Sequence, residues 1–376
     1  MLLSDICEII MGQSPSSDSY NVKGQGLPFF QGNADFGKLY PSVRLWCNCP
    51  IKKAEAGDLL VSVRAPIGAV NLANQKCCIG RGLAALRPYR DKCDAMYLYY
   101  LIKAGKNKLN WLGTGSTFKA ITRSSLLSFN VPDYCIAFQR KISGKLWSVD
   151  KLIHQRNEQL KLFDLLIQSR FIEMFGNVGE IDKHKVHDAF VTKLGDVANV
   201  KSSHRVFTSE FVESGIPFYR GTEIGELSNG QIPKHPFYIT REHYEKLAND
   251  DSRPKIGDLL LPSICNNGQI WLVDTNKPFY YKDGRVLCIS PYPDVFNSIY
   301  LLYYLKYRLT YEYPKLGSGS TFAEFKIFQL KNMDVLVPNI MKQNLFANFI
   351  HQVDKSKYRE AIFLYLLEDI RICCNI

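Results

Sequence analysis

The sequence predicts an α+β protein of mixed α/β character. Two copies of one globular domain are joined by two long antiparallel helices in a coiled coil, with an approximate internal two-fold. Three observations carry this expectation. A helical pattern runs without interruption at mid-chain, a second closes the chain, and one set of strand and turn signals occurs twice in the same order. The expected divisions are 1–135 (first domain), 136–176 (first long helix), 177–190 (connector), 191–340 (second domain) and 341–376 (second long helix).

In the first domain, short apolar runs alternate with Gly, Pro, Asn and Ser clusters. Residues 27–30, 59–63 and 83–87 read as strands and 96–104 as a helix. Over 137–175, apolar or long-stemmed residues recur in steps of three and four: Phe138, Ile142, Leu146, Val149, Ile153, Leu160, Phe163, Ile167, Phe171 and Met174. No proline breaks the run, and Gly176 stops it. A helix of that length extends about 60 Å, so its apolar stripe needs a long partner. The stretch 177–190, with two glycines, Lys183, His184, Lys185 and His187, reads as a connector.

Beyond the connector the pattern returns. Leu3-Ser-Asp5-Ile6 reappears as Leu194-Gly-Asp196-Val197, and Gly26-Leu-Pro28-Phe-Phe-Gln-Gly32 as Gly215-Ile-Pro217-Phe-Tyr-Arg-Gly221. Gly57-Asp58-Leu-Leu60 reappears as Gly257-Asp258-Leu-Leu260, Gly113-Thr-Gly-Ser-Thr-Phe118 as Gly317-Ser-Gly-Ser-Thr-Phe322, and Val131-Pro132 as Val337-Pro338. The spacing grows from 191 residues (Asp5 to Asp196) to 204 (Ser116 to Ser320), which implies modest loop insertions in the second copy. Gln139 pairs with Gln343, and Val149-Asp150-Lys151 with Val353-Asp354-Lys355. The tail 343–372 has apolar positions at Phe346, Phe349, Ile350, Val353, Ile362, Phe363, Leu366, Leu367 and Ile370; a charged run at 355–360 interrupts them. Two such helices packed antiparallel would give a rod with a domain at each end. A ligand of matching symmetry is duplex DNA, whose successive turns lie about 34 Å apart.

Composition agrees. The chain has 376 residues, 46% of them hydrophobic, and a net charge of +11, which favours an anionic partner. The 11 cysteines are odd in number and form no Cys-x-x-Cys, so they read as reduced, mostly buried thiols of a cytoplasmic protein. The N-terminus lacks the basic region of a signal peptide, and the apolar run 299–309 is short and holds Lys306 and Arg308, so no membrane span is expected.

The residues resemble those of the specificity (S) subunit of type I restriction-modification systems. The motifs are Gly12-Gln-Ser-Pro15-Ser, Gly57-Asp58-Leu-Leu60, Gly113-Thr-Gly-Ser-Thr117, Val131-Pro132, Gln139-Arg-Lys-Ile142 with Val149-Asp150, and the helix end from Gln168-Ser-Arg-Phe171 to Phe175-Gly176. The second copy departs from this pattern with Val200-Lys-Ser-Ser-His204 in place of Gly12–Ser16, and its helix has no close counterpart of 168–175. The resemblance implies two target-recognition domains, each reading half of a bipartite double-stranded DNA sequence. The helices would set the spacing and dock two methyltransferase subunits, with restriction and translocation subunits in the full complex. It implies no cofactor on this chain, S-adenosylmethionine being bound by the methyltransferase.

Phosphate contacts need cations, hydroxyls and free backbone N–H groups in glycine loops. Thr114, Ser116, Thr117 and Lys119 suit that role in the first copy, and Ser318, Ser320 and Thr321 in the second. Base reading needs forked donors and amides. Gln31, Asn33, Arg44 and Arg64 are the candidates in the first domain, and Arg220, Lys234, Arg253, Asn266, Asn267 and Gln269 in the second. Elements present in both halves, such as Gly57-Asp58, suit scaffold roles, because different targets need different readers.

Catalytic motifs are missing. There is no Asn/Asp-Pro-Pro-aromatic methyltransferase motif and no Gly-x-x-x-x-Gly-Lys-[Ser/Thr] phosphate loop. Asp294 followed by Glu324-Phe-Lys326 formally matches a metal-nuclease string, but Ala120 and Thr122 occupy the matching places in the first copy. His184 and His187 are flanked by Asp182 and Asp188 but lack cysteine or acid ligands in a site-like cluster, a poor set for a metal site. A non-catalytic subunit is expected.

Overall fold

The structure, a computed structural model, describes residues 1–113, 119–179, 188–265, 267–316 and 323–373. The chain divides into two compact units: Met1–Gln159 with Glu360–Ile376, and Leu160–Arg359.

In the first unit, Cys7–Met11, Leu83–Pro88, Leu59–Ser62 and Val70–Leu72 form an antiparallel four-stranded sheet in that order. A second sheet runs Tyr20–Asn21, Leu45–Cys47, Leu27–Phe30, Cys77–Ile79, Lys53–Ala54, and its Leu27–Phe30 and Cys77–Ile79 strands are parallel. The strand Leu59–Ser62 is buried throughout because both its faces meet apolar side chains. Leu59 and Val61 join one core with Leu3, Ile6, Tyr97 and Leu101, while Leu60 joins another with Phe30 and Ile79. This is the period-two alternation of a strand between two apolar layers.

The second unit repeats the design. Ala198–Lys201, Val286–Pro291, Leu259–Pro262 and Trp271–Leu272 form the antiparallel sheet. Phe237–Ile239, Ile216–Tyr219 and Tyr280–Tyr281 form the other, and its last two strands are parallel. Leu259 and Leu261 again face one core and Leu260 the other. The insertions are the helices Gly221–Ser228 and Arg241–Leu247, where the first copy has only the 3-10 turn Asn33–Asp35. The connector is shorter than 177–190, because Ala189–Lys193 already pairs with Asp334–Pro338.

Gly57 and Gly257 adopt φ of 93° and 92°, a region that side chains disfavour. Their N–H groups donate to Ala73 and Val273 at 2.8 and 3.0 Å. The adjacent acids are buried. Asp58 accepts the Glu55 N–H and two Arg87 donors, and Asp258 accepts the Lys255 N–H. This shared pair therefore forms the turn that feeds the central strand.

The long helices span Ile136–Phe175 and Ile340–Cys373. Each is tied to its domain by a buried glutamine. Gln139 donates to the carbonyls of Lys92 and Tyr134 and accepts the N–H of Asp94. Gln343 donates to Val295 and Pro338 and accepts the N–H of Asn297. Asp94 and Asn297 are the N-caps of Ala95–Ala104 and Ser298–Glu312, so one amide fixes three chain segments in each domain.

In the second unit the two helices run antiparallel: Asp164 meets Lys357, and further along Phe171 packs on Phe346. In the first unit Arg156 pairs with Glu360 at 3.0 Å and lies over the Phe363 ring. The buried seam is narrower than the periodicity suggests. Leu146, Ile153, Ile167, Phe171, Phe346, Ile350, Val353 and Leu367 are buried, whereas Phe138, Ile362, Phe363 and Leu366 are exposed. Leu146 packs into the core of the first domain, and Ile167, Phe171, Phe346, Ile350 and Val353 into that of the second, so the stripe is buried against the domains as well as the other helix and the flanking apolar positions face outward.

Of the nine cysteines from Cys7 to Cys288, only Cys49 and Cys135 are exposed, and all nine are free thiols. Burial pushes the Cys77 and Cys93 thiols up to about 12. No described helix is long and apolar enough to cross a membrane.

Replacing Gln343 with leucine leaves the Asn297 N–H and two carbonyls without their partner. Each buried orphan costs about 1–3 kcal/mol, so unfolding in urea should shift to clearly lower denaturant. An unchanged midpoint would refute the clamp.

Candidate nucleic-acid interface

In each domain the strand of the parallel pair ends in a turn that carries candidate readers. In the first, Leu27–Phe30 leads to Gln31-Gly32 and the 3-10 turn Asn33–Asp35. The loop Gly80-Arg81-Gly82 passes so close that a Cβ on Gly82 would sit 2.3 Å from the Gln31 carbonyl oxygen. The same loop reaches the central strand, since the Val63 N–H donates to Gly82 at 2.9 Å. An antiparallel bridge from Arg64 to Ala120 brings Lys119 beside Arg64. Gln31, Arg64, Arg81 and Lys119 therefore gather at one end of the sheets, all exposed. Arg64, Arg81 and Lys119 have no ion-pair partner among the described residues. Arg44 reaches the same turn through Asp35. Asn33 is half-buried at the start of the 3-10 turn.

In the second domain the corresponding end forms a cleft of about 490 Å³ lined by Arg220, Thr222, Ser263, Gln269, Lys282 and Arg285, among others. Arg220 begins the inserted helix Gly221–Ser228 and pairs with Glu223. Burial pushes the Glu223 carboxyl up, but the donors of Arg220 more than offset this and leave it below the usual carboxylate range. Ser263 binds the Arg285 carbonyl through its N–H and the Phe325 N–H through its carbonyl. This matches the Val63 contacts with Gly82 and Ile121 in the first domain.

The candidates do not all converge. Arg253 lines a separate cleft of about 240 Å³ with Lys255, Thr275 and Lys277. Lys234 is exposed in the loop before Phe237–Ile239, and Asn267 is exposed with its N–H on Gln269 Oε1 at 3.2 Å. Thr114, Ser116, Thr117, Asn266, Ser318, Ser320 and Thr321 lie outside the described residues, as do Asp182, His184 and His187.

Sequence reasoning missed Arg81, Lys282 and Arg285. Gly80-Arg81 and Gly284-Arg285 share a Gly-Arg dipeptide before equivalent strands, a signal that was available. It also missed Trp111, 90% exposed at the end of the lysine-bearing helix Lys106–Leu112. Glu324 of the nuclease-like string is occupied by an ion pair with Arg285. No group of three or more His, Cys, Asp or Glu among the described residues is placed to hold a metal ion.

Comparison with known proteins places this arrangement. Over 152 residues the chain is 44% identical to the MjaX specificity subunit, assigned to a type I restriction enzyme of Methanocaldococcus jannaschii; the match covers 40% of the chain and 36% of that relative, so it spans about a third of the relative's length. It is 25% identical over 366 residues to the type I restriction enzyme MjaIX specificity subunit of the same organism, covering 89% of the chain and 82% of the relative. The crystal structure of the type I restriction-modification system S subunit from M. genitalium matches in fold, with a TM-score of 0.60 at 15% identity over 100% of this chain and 94% of that one. Residues 1–162 and 188–361 each match the type I restriction modification DNA specificity domain, and the chain belongs to that family, carrying two copies of its domain.

Proposed function

We propose that the chain is the DNA-reading subunit of a type I restriction-modification complex and performs no chemistry itself. Each domain reads one half of a bipartite duplex target, and the helices set the unread spacer. Two methyltransferase subunits, which bind the S-adenosylmethionine, dock on the helices; restriction and translocation subunits complete the assembly. The carrying observation is that two domains share one topology yet end in differently furnished, basic turns. Gln31, Arg64, Arg81 and Lys119 stand in one, and Arg220, Gln269, Lys282 and Arg285 in the other. A shared scaffold with unlike side chains suits two unlike half-sites. Docking draws support from exposed apolar residues on the first helix: Phe138 and Trp147 in one unit, and Leu162, Leu165, Leu166 and Ile172 in the other.

Footprinting of the protein with its methyltransferase should give two short protected tracts with a gap; one continuous tract would refute the bipartite reading. Deleting one heptad from each helix should shorten the gap or abolish binding while both half-sites keep their bases. A changed base in either half would refute the spacing role.

Lys282 is exposed and has no ion-pair partner among the described residues, which suits a phosphate contact. Lys282→Ala should weaken binding equally for all sequences and lower the slope of log K against log salt by about one. A slope equal to that of the unchanged protein would remove Lys282 from the interface.

A further inference from the structure

In both domains a buried carboxylate follows the strand of the parallel pair and grips one guanidinium. In the first, Asp35 Oδ2 accepts the N–H groups of Gln31 at 2.7 Å and Gly32 at 3.3 Å. Its Oδ1 accepts Arg44 Nε at 3.1 Å and also Arg44 Nη2. In the second, Glu223 Oε2 accepts the Arg220 N–H at 2.8 Å and Arg220 Nε at 3.1 Å, and Oε1 accepts Nη2 at 2.5 Å. The two carboxylates are 7% and 3% exposed. Their own backbone contacts hold them still, so they hold the arginines still. The Arg220 guanidinium also lies 4.5 Å from the centre of the Phe237 ring.

The grip uses only one edge of each guanidinium. With Nε and Nη2 engaged, the far end, Nη1 and the second hydrogen of Nη2, is left to donate. That end presents two parallel N–H groups, the pattern that fits O6 and N7 of guanine in the major groove. The Arg44 and Arg220 side chains are 60% and 36% exposed, and among the described residues their only side-chain hydrogen bonds are those to Asp35 and Glu223.

The sequence origin of the pair separates a reader from a scaffold. The carboxylate occupies the third position after the N-cap of the turn or helix that follows the strand in each copy, five residues past the strand in the first and four in the second. The arginine does not: Arg44 lies nine residues after Asp35, and Arg220 three before Glu223. The repeat aligns Arg220 with Gln31, not with another arginine. A pair kept for folding alone would repeat both members. A common holder with an arginine delivered from different directions suits two domains that read guanine at different places.

Resting on the specificity reading above, we infer that Arg44 and Arg220 each read a guanine, one per half-site, and that Asp35 and Glu223 are their positioning residues. The probe is a random-sequence duplex library selected with the chain in complex with its methyltransferase. The unchanged protein should enrich a bipartite motif with a guanine in each half. Arg220→Ala should cut the preference for guanine at one position of one half by roughly five- to a hundredfold, leaving the other half intact. Arg220→Lys, which keeps the charge but loses the fork, should do nearly the same. Glu223→Gln should relax that position without erasing it, which a purely structural role would not do. Arg44→Ala should act on the other half alone.

A motif unaltered by Arg220→Ala and Arg44→Ala would overturn the inference, as would a uniform loss across all sequences, which marks phosphate contacts. A half-site without guanine would also overturn it. If the unchanged protein enriches no motif, the specificity reading itself falls, and the inference with it.

Discussion

A single buried amide in each half holds the architecture together. Gln139 and Gln343 sit in the first turns of the long helices, at 1% and 0% exposure. Each side chain joins the helix to the segment that enters it and to the N-cap of the domain's main helix. A buried primary amide is costly unless its donors and acceptor are used. Here two donated bonds and one accepted bond have defined partners, so the amide fits only one arrangement of the three segments. A leucine in that place could seal the same space but would accept several helix orientations. The polar clamp sets an angle as well as a contact. If the domains read DNA and the helices set the spacing, a fixed angle is what makes helix length a measure of distance.

The repeat in the sequence made this constraint legible. Gln139 and Gln343 align with their flanking motifs, and so do Gly57-Asp58 and Gly257-Asp258. What a repeat exposes is the part common to both copies, and the structure shows that part as turns, caps and central strands. The proposed readers were less legible for the same reason. Arg44 and Arg220 hold equivalent carboxylates from unrelated sequence positions, so no alignment of the halves pairs them. Lys282 and Arg285 join Arg220 only through the parallel pairing of Tyr280–Tyr281 with Ile216–Tyr219, a contact between strands some sixty residues apart. Local pattern carries no information about such a pairing. Arg253 shows the same limit from the other side. Its residue type suited base reading, but its loop opens on a different cleft.

The long helices show where periodicity alone misleads. Counting apolar residues at helical steps placed Phe138, Ile362, Phe363 and Leu366 in the seam, yet all four are exposed. A pattern of apolar spacing marks every face that avoids water in the working protein, and a surface left for another subunit reads the same as a surface buried within the chain. The excess of apolar positions over the observed seam is the surface that the proposed docking would use.

The charged run 355–360, which interrupts the second helix's apolar face, has a role of its own. Lys357 reaches Asp164 at 2.5 Å in one unit, and Glu360 reaches Arg156 at 3.0 Å in the other. Partly exposed pairs of this kind contribute little stability, on the order of 0.2–1 kcal/mol. Their effect is on alternatives. Sliding one helix by a turn would separate both pairs and set charge against apolar surface, while the apolar contacts alone would tolerate the shift. Burial supplies the attraction between the helices, and the charged layer selects one register from those that burial permits. If the helices set the spacing, the second property matters more than the first, because an error of one turn, about 5.4 Å, exceeds the rise of a base pair.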